Sequence, residues 1–214
     1  MLVQILVDNP NSWIVPYAKK LVTLIEKEVQ FNSVLIFEHE SVIKGEILCL
    51  LSCEKVFKDL DLNKHTLVVH ESNLPKGKGW SPLTWQILEG LNSIPITLFE
   101  ATESIDAGEI YCKEYINFEG TELIEEIKHK QGEKTIDLIL RFLNDYPLIE
   151  GVDQLGESTF YKRRTKKDSE LDIDKSIQDQ FNLLRICDNE RYPAFFKIKG
   201  KTYILKIYQN SSFD

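Results

Sequence analysis

The chain has 214 residues, 43% of them hydrophobic and 28% charged, which supplies a core for one large domain or for a domain with a small appendage. Its formal net charge is −8, which argues against a protein whose main partner is a phosphate backbone, since such proteins carry a basic face. The four cysteines complete no metal-ligand spacing and no apolar run is long enough to span a bilayer, so the reading is no metal, no membrane, no nucleic acid and a reducing, cytoplasmic setting.

In chain order, "LVQILV" at residues 2–7 is a short apolar run closed by the turn-rich "DNPNS", as expected of a buried strand. With no basic stretch before it, this start reads as a strand and not as a signal peptide. Trp13 to Val29 carries apolar residues near helical spacing at Ile14, Tyr17, Ala18, Leu21, Leu24 and Ile25. Strands are predicted at Ser33–Glu38, Glu46–Ser52 and Thr66–His70. Cys49 and Cys53 fall in the second of these runs and its exit, where a thiol behaves as a small buried hydrophobe.

After His70 comes a loop holding Pro75, Gly77 and Gly79, then a helix with Ser81 as N-cap, Pro82 in the first turn and Gly90 past its end. "IPITLFEA" (94–101) is a strand, followed by the turn "TESIDAGE" and the strand-like "IYCKEYINF". Thr121 to Tyr146 is a long amphipathic helical segment in which Gly132 is a point for a bend or break. Composition shifts at "PLIEGVDQLGES", which places a boundary near residue 150: a domain at 1–150 and a small module at 151–214. The module is read as a helix and a β-hairpin turning at Gly200, preceded by the basic run Lys162–Lys167. Because acidic residues follow that run at once, it reads as a solvated face or subunit contact. The alternation of short apolar runs with helices predicts an α/β fold, an open, mostly parallel Rossmann-like sheet with a small α+β module at its C-terminal end. In such sheets reactive groups collect beyond the carboxyl ends of the strands, where His70 sits.

Five ionisable residues fall at strand ends or turns: His70, Glu71, Glu103, Asp106 and Glu109. His70 and Asp106 are each adjacent to a glycine-bearing turn, and a carboxylate that orients a histidine suits proton transfer. By residue type alone His70 reads equally as a local hydrogen-bonding residue at a strand end. Trp80 and Trp85 read as packing residues, and Gln86 has no assigned role.

"HESNLPKGKGWSP" followed by "SIDAGEI" resembles the signature of the formyltransferases that use 10-formyltetrahydrofolate. In them a strand ends in Asn-x-His, a Ser and Leu-Pro loop with glycine follows, and an Asp-x-Gly turn comes downstream. The likeness covers roughly Leu48 to Ile116. "FYKRRTKKDSELDIDKS…NLLRICDNERYPAFF" is also similar to the start of the C-terminal domain of methionyl-tRNA formyltransferases and sugar N-formyltransferases. The resemblance implies the formyltransferase fold, with 10-formyltetrahydrofolate as formyl donor. It implies His70 and Asp106 as catalytic residues and Ser52, Glu103 and Asp106 as donor-binding residues. Lys76 and Lys78 are read either as contacts to an acceptor phosphate or as solvated loop lysines. Where the family has asparagine, this chain has Val68, which offers no hydrogen bond to a developing oxyanion; Ser52 is the substitute considered. The acceptor implied is a nucleotide-linked 4-amino-4,6-dideoxy sugar, with a UDP-linked sugar of the pseudaminic-acid type as a refinement and a homodimer by analogy. The alternatives are a methionyl-tRNA formyltransferase-like enzyme, or a non-catalytic relative that binds folate or sugar nucleotide.

Overall fold

The computed structural model describes residues 1–210; the last four residues of the expected module lie outside the described residues. A six-stranded sheet forms from β1 (Leu2–Leu6), β2 (Asn32–Ile36), β3 (Gly45–Leu50), β4 (Asn63–His70), β6 (Ser93–Glu100) and β7 (Ile110–Asn117). The spatial order is β2-β1-β3-β4-β6-β7. The first four strands run parallel and the last two antiparallel, so the mostly parallel expectation holds. The carboxyl ends of β1, β3 and β4 therefore share one edge. Leu50 pairs with Val68 in register, two residues short of His70.

Side chains alternate along each strand, and the alternation builds two layers. Val3, Ile5, Ile47, Cys49, Leu67 and Leu98 pack on one face against helices α1 (Val15–Leu24) and α3 (Ile124–Asp145). Leu6, Leu48 and Ile36 pack on the other with Val42 and Phe57. Gln4 is fully buried yet satisfied: its amide nitrogen donates to the Ile43 carbonyl (2.8 Å) and to Asn63 Oδ1 (3.0 Å), and its oxygen accepts from the Ile43 amide (2.9 Å).

Several boundaries differ from the sequence reading. α1 is shorter than the apolar pattern, because Ile25–Val29 widens into π geometry before Gln30 ends it in the left-handed region. α3 runs unbroken through Gly132: the ring of Tyr17 lies against that position, so the missing side chain serves helix–helix contact rather than a kink. Ser81 stands at the N-cap of α2 (Pro82–Leu88) with φ +49° and makes no side-chain cap bond; its carbonyl accepts from the Thr84 hydroxyl instead. The third strand stops at Leu50, and Ser52 beyond it is left-handed (φ +51°).

The C-terminal segment is threaded into the body. Its short strand β8 (Phe160–Tyr161) pairs with β5 (Lys78–Gly79), which lies in the loop after His70. Helix α4 (Phe181–Arg185) precedes the antiparallel hairpin β9 (Ala194–Ile198) and β10 (Lys201–Leu205), whose turn is Lys199–Gly200. The basic run is not a bare charged face. Lys162 lies over the Trp85 ring and pairs with Asp168, Arg163 lies over Trp80, and Arg164 donates to the Asp168 carbonyl. The four thiols are free; burial pushes the Cys49 and Cys53 thiols up to about 12, so both stay protonated and inert. Among the described residues no helix is long and apolar enough to cross a membrane, and no group of three or more metal-ligating side chains occurs.

Candidate active site

β4 delivers His70 to the carboxyl edge of the sheet, edge-on to Phe99 and mostly buried. Its Nε2 lies 2.9 Å from the Gly77 carbonyl oxygen and 3.7 Å from Asp106 Oδ2. A carbonyl only accepts, so Nε2 carries the proton and donates to it. Nδ1 has no hydrogen-bond partner among the described residues and is not sealed from solvent. The ring is thus held by one nitrogen and offers the other.

The loop that holds His70 is fixed from three sides. Thr97 donates to the Ser72 carbonyl (2.7 Å), and Lys113 binds Asn73 Oδ1 (2.8 Å) and the Leu74 carbonyl (2.7 Å). The C-terminal segment closes the third side: the Gly77 amide donates to Thr159 Oγ1, the Lys78 amide to the Thr159 carbonyl and the Trp80 amide to the Tyr161 carbonyl. At Gly79 a Cβ would sit 2.5 Å from that Tyr161 carbonyl oxygen, with φ at +96°, so only glycine lets the two segments pair.

Asp106 arrives by the turn between β6 and β7. It adopts φ +51°, a region that aspartate tolerates better than most residues. A Cβ at Gly108 would meet the Glu100 carbonyl oxygen, which accounts for the glycine of the Asp-x-Gly turn. Gln154 donates to the carbonyls of Asp106 (3.0 Å) and Gly108 (2.8 Å), and the Gly79 amide donates to Asp106 Oδ2 at 2.8 Å. One carboxylate therefore serves both the loop and the histidine.

A cavity of about 500 Å³ opens at this edge. Its apolar wall includes Leu50, Phe57, Val68 and Phe99, and His70, Asp106, Ser52 and Glu103 also line it. Ser52 and Glu103 are exposed at its mouth. Val68 faces this space, so the position that carries asparagine in the resembled signature supplies no donor here. Lys76 and Lys78 do not line the cavity; Lys76 is exposed and Lys78 mostly buried. Glu109 also lies outside it. Trp80, read as a packing residue, is instead half-exposed at the mouth with Arg163 on its ring. Trp85 does pack: it stacks on Tyr161 and donates to the Lys162 carbonyl.

The fold and the paired motifs place the chain among known proteins. It is 30% identical over 147 residues to a methionyl-tRNA formyltransferase of Thermosipho melanesiensis, a match covering 68% of this chain and 48% of that protein. The methionyl-tRNA formyltransferase structure from Clostridium thermocellum superimposes with a TM-score of 0.81 at 22% identity, over 100% of this chain and 95% of that one. The chain belongs to the formyltransferase family.

The family's fold recurs in a sugar N-formyltransferase from a Shewanella species, with a TM-score of 0.72 at 15% identity and 98% coverage of both chains. It recurs also in HypX from Aquifex aeolicus, solved in complex with tetrahydrofolic acid, with a TM-score of 0.73 at 17% identity over 96% of this chain and 37% of that one. No family model matches the chain, and it spans about half the length of the curated relative described above.

Two contributions escaped the sequence reading. Lys128, Gln131 and Thr135 of α3 line the cavity; their i, i+3, i+7 spacing was a polar stripe on one helix face, a signal available beforehand. The second is the pairing of β5 with β8, which spans too long a sequence separation, and too few residues, to leave a periodic trace. Gln86, unassigned from sequence, donates to the Glu71 carbonyl at 2.6 Å and so ties α2 to the strand end.

Proposed function

We propose that this chain is an N-formyltransferase that moves the formyl group of 10-formyltetrahydrofolate to the primary amine of a nucleotide-linked amino-dideoxy sugar in the cytoplasm. The observation that carries the reading is a histidine clamped at one ring nitrogen, by Gly77 and beside Asp106, its other nitrogen without a hydrogen-bond partner among the described residues, in the lining of a cavity of about 500 Å³. That volume lies within the range of small-molecule sites, roughly 300–1,000 Å³. Its apolar wall and polar rim suit a flat heteroaromatic donor. The net charge of −8 favours a small acceptor over a polyanionic tRNA, whose grip requires many cationic contacts.

When bound, the donor supplies an electrophilic formyl carbon. The chain's residues manage protons around it. With Nε2–H donated to the Gly77 carbonyl, Nδ1 holds a lone pair and takes a proton from the acceptor nitrogen as that nitrogen bonds to the formyl carbon. The resulting imidazolium is stabilised by Asp106 on its Nε2 side, and it returns the proton to the folate nitrogen as the bond from the formyl carbon to that nitrogen breaks.

Val68 supports a second reading, in which the cavity binds folate or sugar nucleotide without turnover. It also supplies a test. If the missing donor limits the rate, Val68→Asn raises kcat, by up to on the order of a hundredfold. An unchanged or lower kcat in a folded variant assigns oxyanion stabilisation to other groups.

The acceptor is decided by offering UDP- and dTDP-linked amino sugars and methionyl-tRNA separately with 10-formyltetrahydrofolate. A formamide on an amino sugar supports the proposal; product on tRNA alone overturns the acceptor. No product with either acceptor, alongside measurable folate binding, supports the binding role.

A further inference from the structure

The proposed chemistry leaves Glu71, the cavity carboxylate next to His70, unused. Glu71 follows His70, so strand alternation turns it to the opposite face of the sheet, towards α3, where Gln131 Nε2 donates to its Oε1 at 2.7 Å. Oε2 makes no bond to another residue among the described residues, and Glu71 lines the cavity. No lysine or arginine pairs with it among the described residues. Lys128, its lysine neighbour on the cavity-facing stripe of α3, is already held by Asp188 (2.8 Å) and Glu125 (2.9 Å). Burial raises the Glu71 carboxyl above its ordinary value, offset in part by His70 and the Gln131 hydrogen bond and reinforced by Asp106. Glu71 is half-buried, and a carboxylate stripped of part of its hydration with no lysine or arginine beside it favours an arriving cation. Its neighbours His70 and Asp106 are the groups at the proposed reaction centre.

Resting on the formyl-transfer reading, we propose that Glu71 is the carboxylate that receives the acceptor's ammonium group and takes its first proton. A protonated primary amine must lose two protons on its way to a formamide. One passes from nitrogen to Glu71 Oε2, which frees the lone pair that forms the bond to the formyl carbon. The second passes to His70 and on to the folate nitrogen as its bond to the formyl carbon breaks. The proton on Glu71 leaves to solvent, so each turnover releases one proton beside formamide and tetrahydrofolate. The two faces of the strand end thereby divide the work: Glu71 on one side selects and deprotonates the amine, and His70 on the other serves the formyl group. Gln131 is a positioning residue that fixes the carboxylate.

The test compares wild type with Glu71→Gln, which keeps shape and removes charge, and with Gln131→Ala as a second variant. Steady-state transfer to dTDP-4-amino-4,6-dideoxyglucose is measured beside calorimetric binding, in the presence of tetrahydrofolate, of that nucleotide and of its 4-hydroxy counterpart. Glu71→Gln is expected to lose on the order of a hundredfold in kcat/KM for the amine. It should weaken binding of the amino nucleotide, leave binding of the hydroxy nucleotide unchanged and leave the KM for the folate unchanged. Gln131→Ala should show a smaller loss in the same direction. Equal loss of both nucleotides, or of folate binding, means a structural role and overturns the inference. Full activity in Glu71→Gln overturns it while the formyl-transfer reading stands. A wild type that forms no formamide overturns that reading and this one with it.

Discussion

His70→Ala is expected to lower formyl transfer by about two to four orders of magnitude, with tetrahydrofolate binding nearly unchanged. The range is that of a positioned acid–base group. The geometry explains why binding survives: the cavity wall of Leu50, Phe57 and Phe99 does not depend on the imidazole. What is lost is the nitrogen that exchanges protons between acceptor and donor. The loop keeps its other anchors, because Thr97, Lys113 and Thr159 hold it independently of His70. Rates from single-turnover mixing, set beside calorimetric folate affinity, separate the two effects. A loss confined to affinity would make His70 a wall residue.

The largest effect on stability is expected at Arg185, far from the chemistry. Its side chain is fully buried in α4, donating to Asn92 Oδ1 (2.7 Å) and Asn182 Oδ1 (3.0 Å), with Glu122 3.6 Å away. It joins the C-terminal segment to the loop before β6 and to the start of α3. Arg185→Ala is expected to cost about 3–5 kcal/mol, the usual penalty for breaking a buried ion pair. Arg185→Met should cost less, since an apolar chain of similar length refills the space without a charge. Urea unfolding midpoints measure both.

Glu122 beside it has a pH signature. Burial alone would raise the Glu122 carboxyl, but hydrogen bonds from Lys130 and from the amides of Glu119 and Gly120 overcome this and hold it at about 2. A carboxyl depressed on folding stabilises the protein fully above its unfolded value, near 4.5, and loses that stabilisation as pH falls towards 2. Wild type and Arg185→Ala should therefore both lose stability across that interval, because Lys130 and the backbone amides that depress Glu122 are present in each.

The parallel strands were legible because they are short, apolar and bounded by turn residues, and the His70 loop because glycine and proline punctuate it. Asp106 was legible from its Asp-x-Gly turn, and the glycine there is now explained by the closeness of the Glu100 carbonyl. Less legible was anything made by distant segments meeting. Trp80 looked like a packing residue, yet Arg163 from the C-terminal segment covers its ring and leaves it half-exposed at the cavity mouth. Lys76 and Lys78, read either as phosphate contacts or as solvated loop lysines, share a loop with His70 but do not line the cavity, and Lys78 lies in β5, which pairs with β8. Glu71 was visible as an ionisable strand-end residue. Its significance needed the partner on α3, which no local pattern connects to it.

Formyl transfer through this cavity is checked by following an isotopically labelled formyl group. Wild type and His70→Ala would each be given labelled 10-formyltetrahydrofolate and an amino-sugar nucleotide, with the products read by mass spectrometry. Labelled formamide is expected from wild type, at a rate at least about a hundredfold above that of the variant. Labelled product at equal rates from both, or none from a wild type that binds folate, would contradict formyl transfer through this cavity.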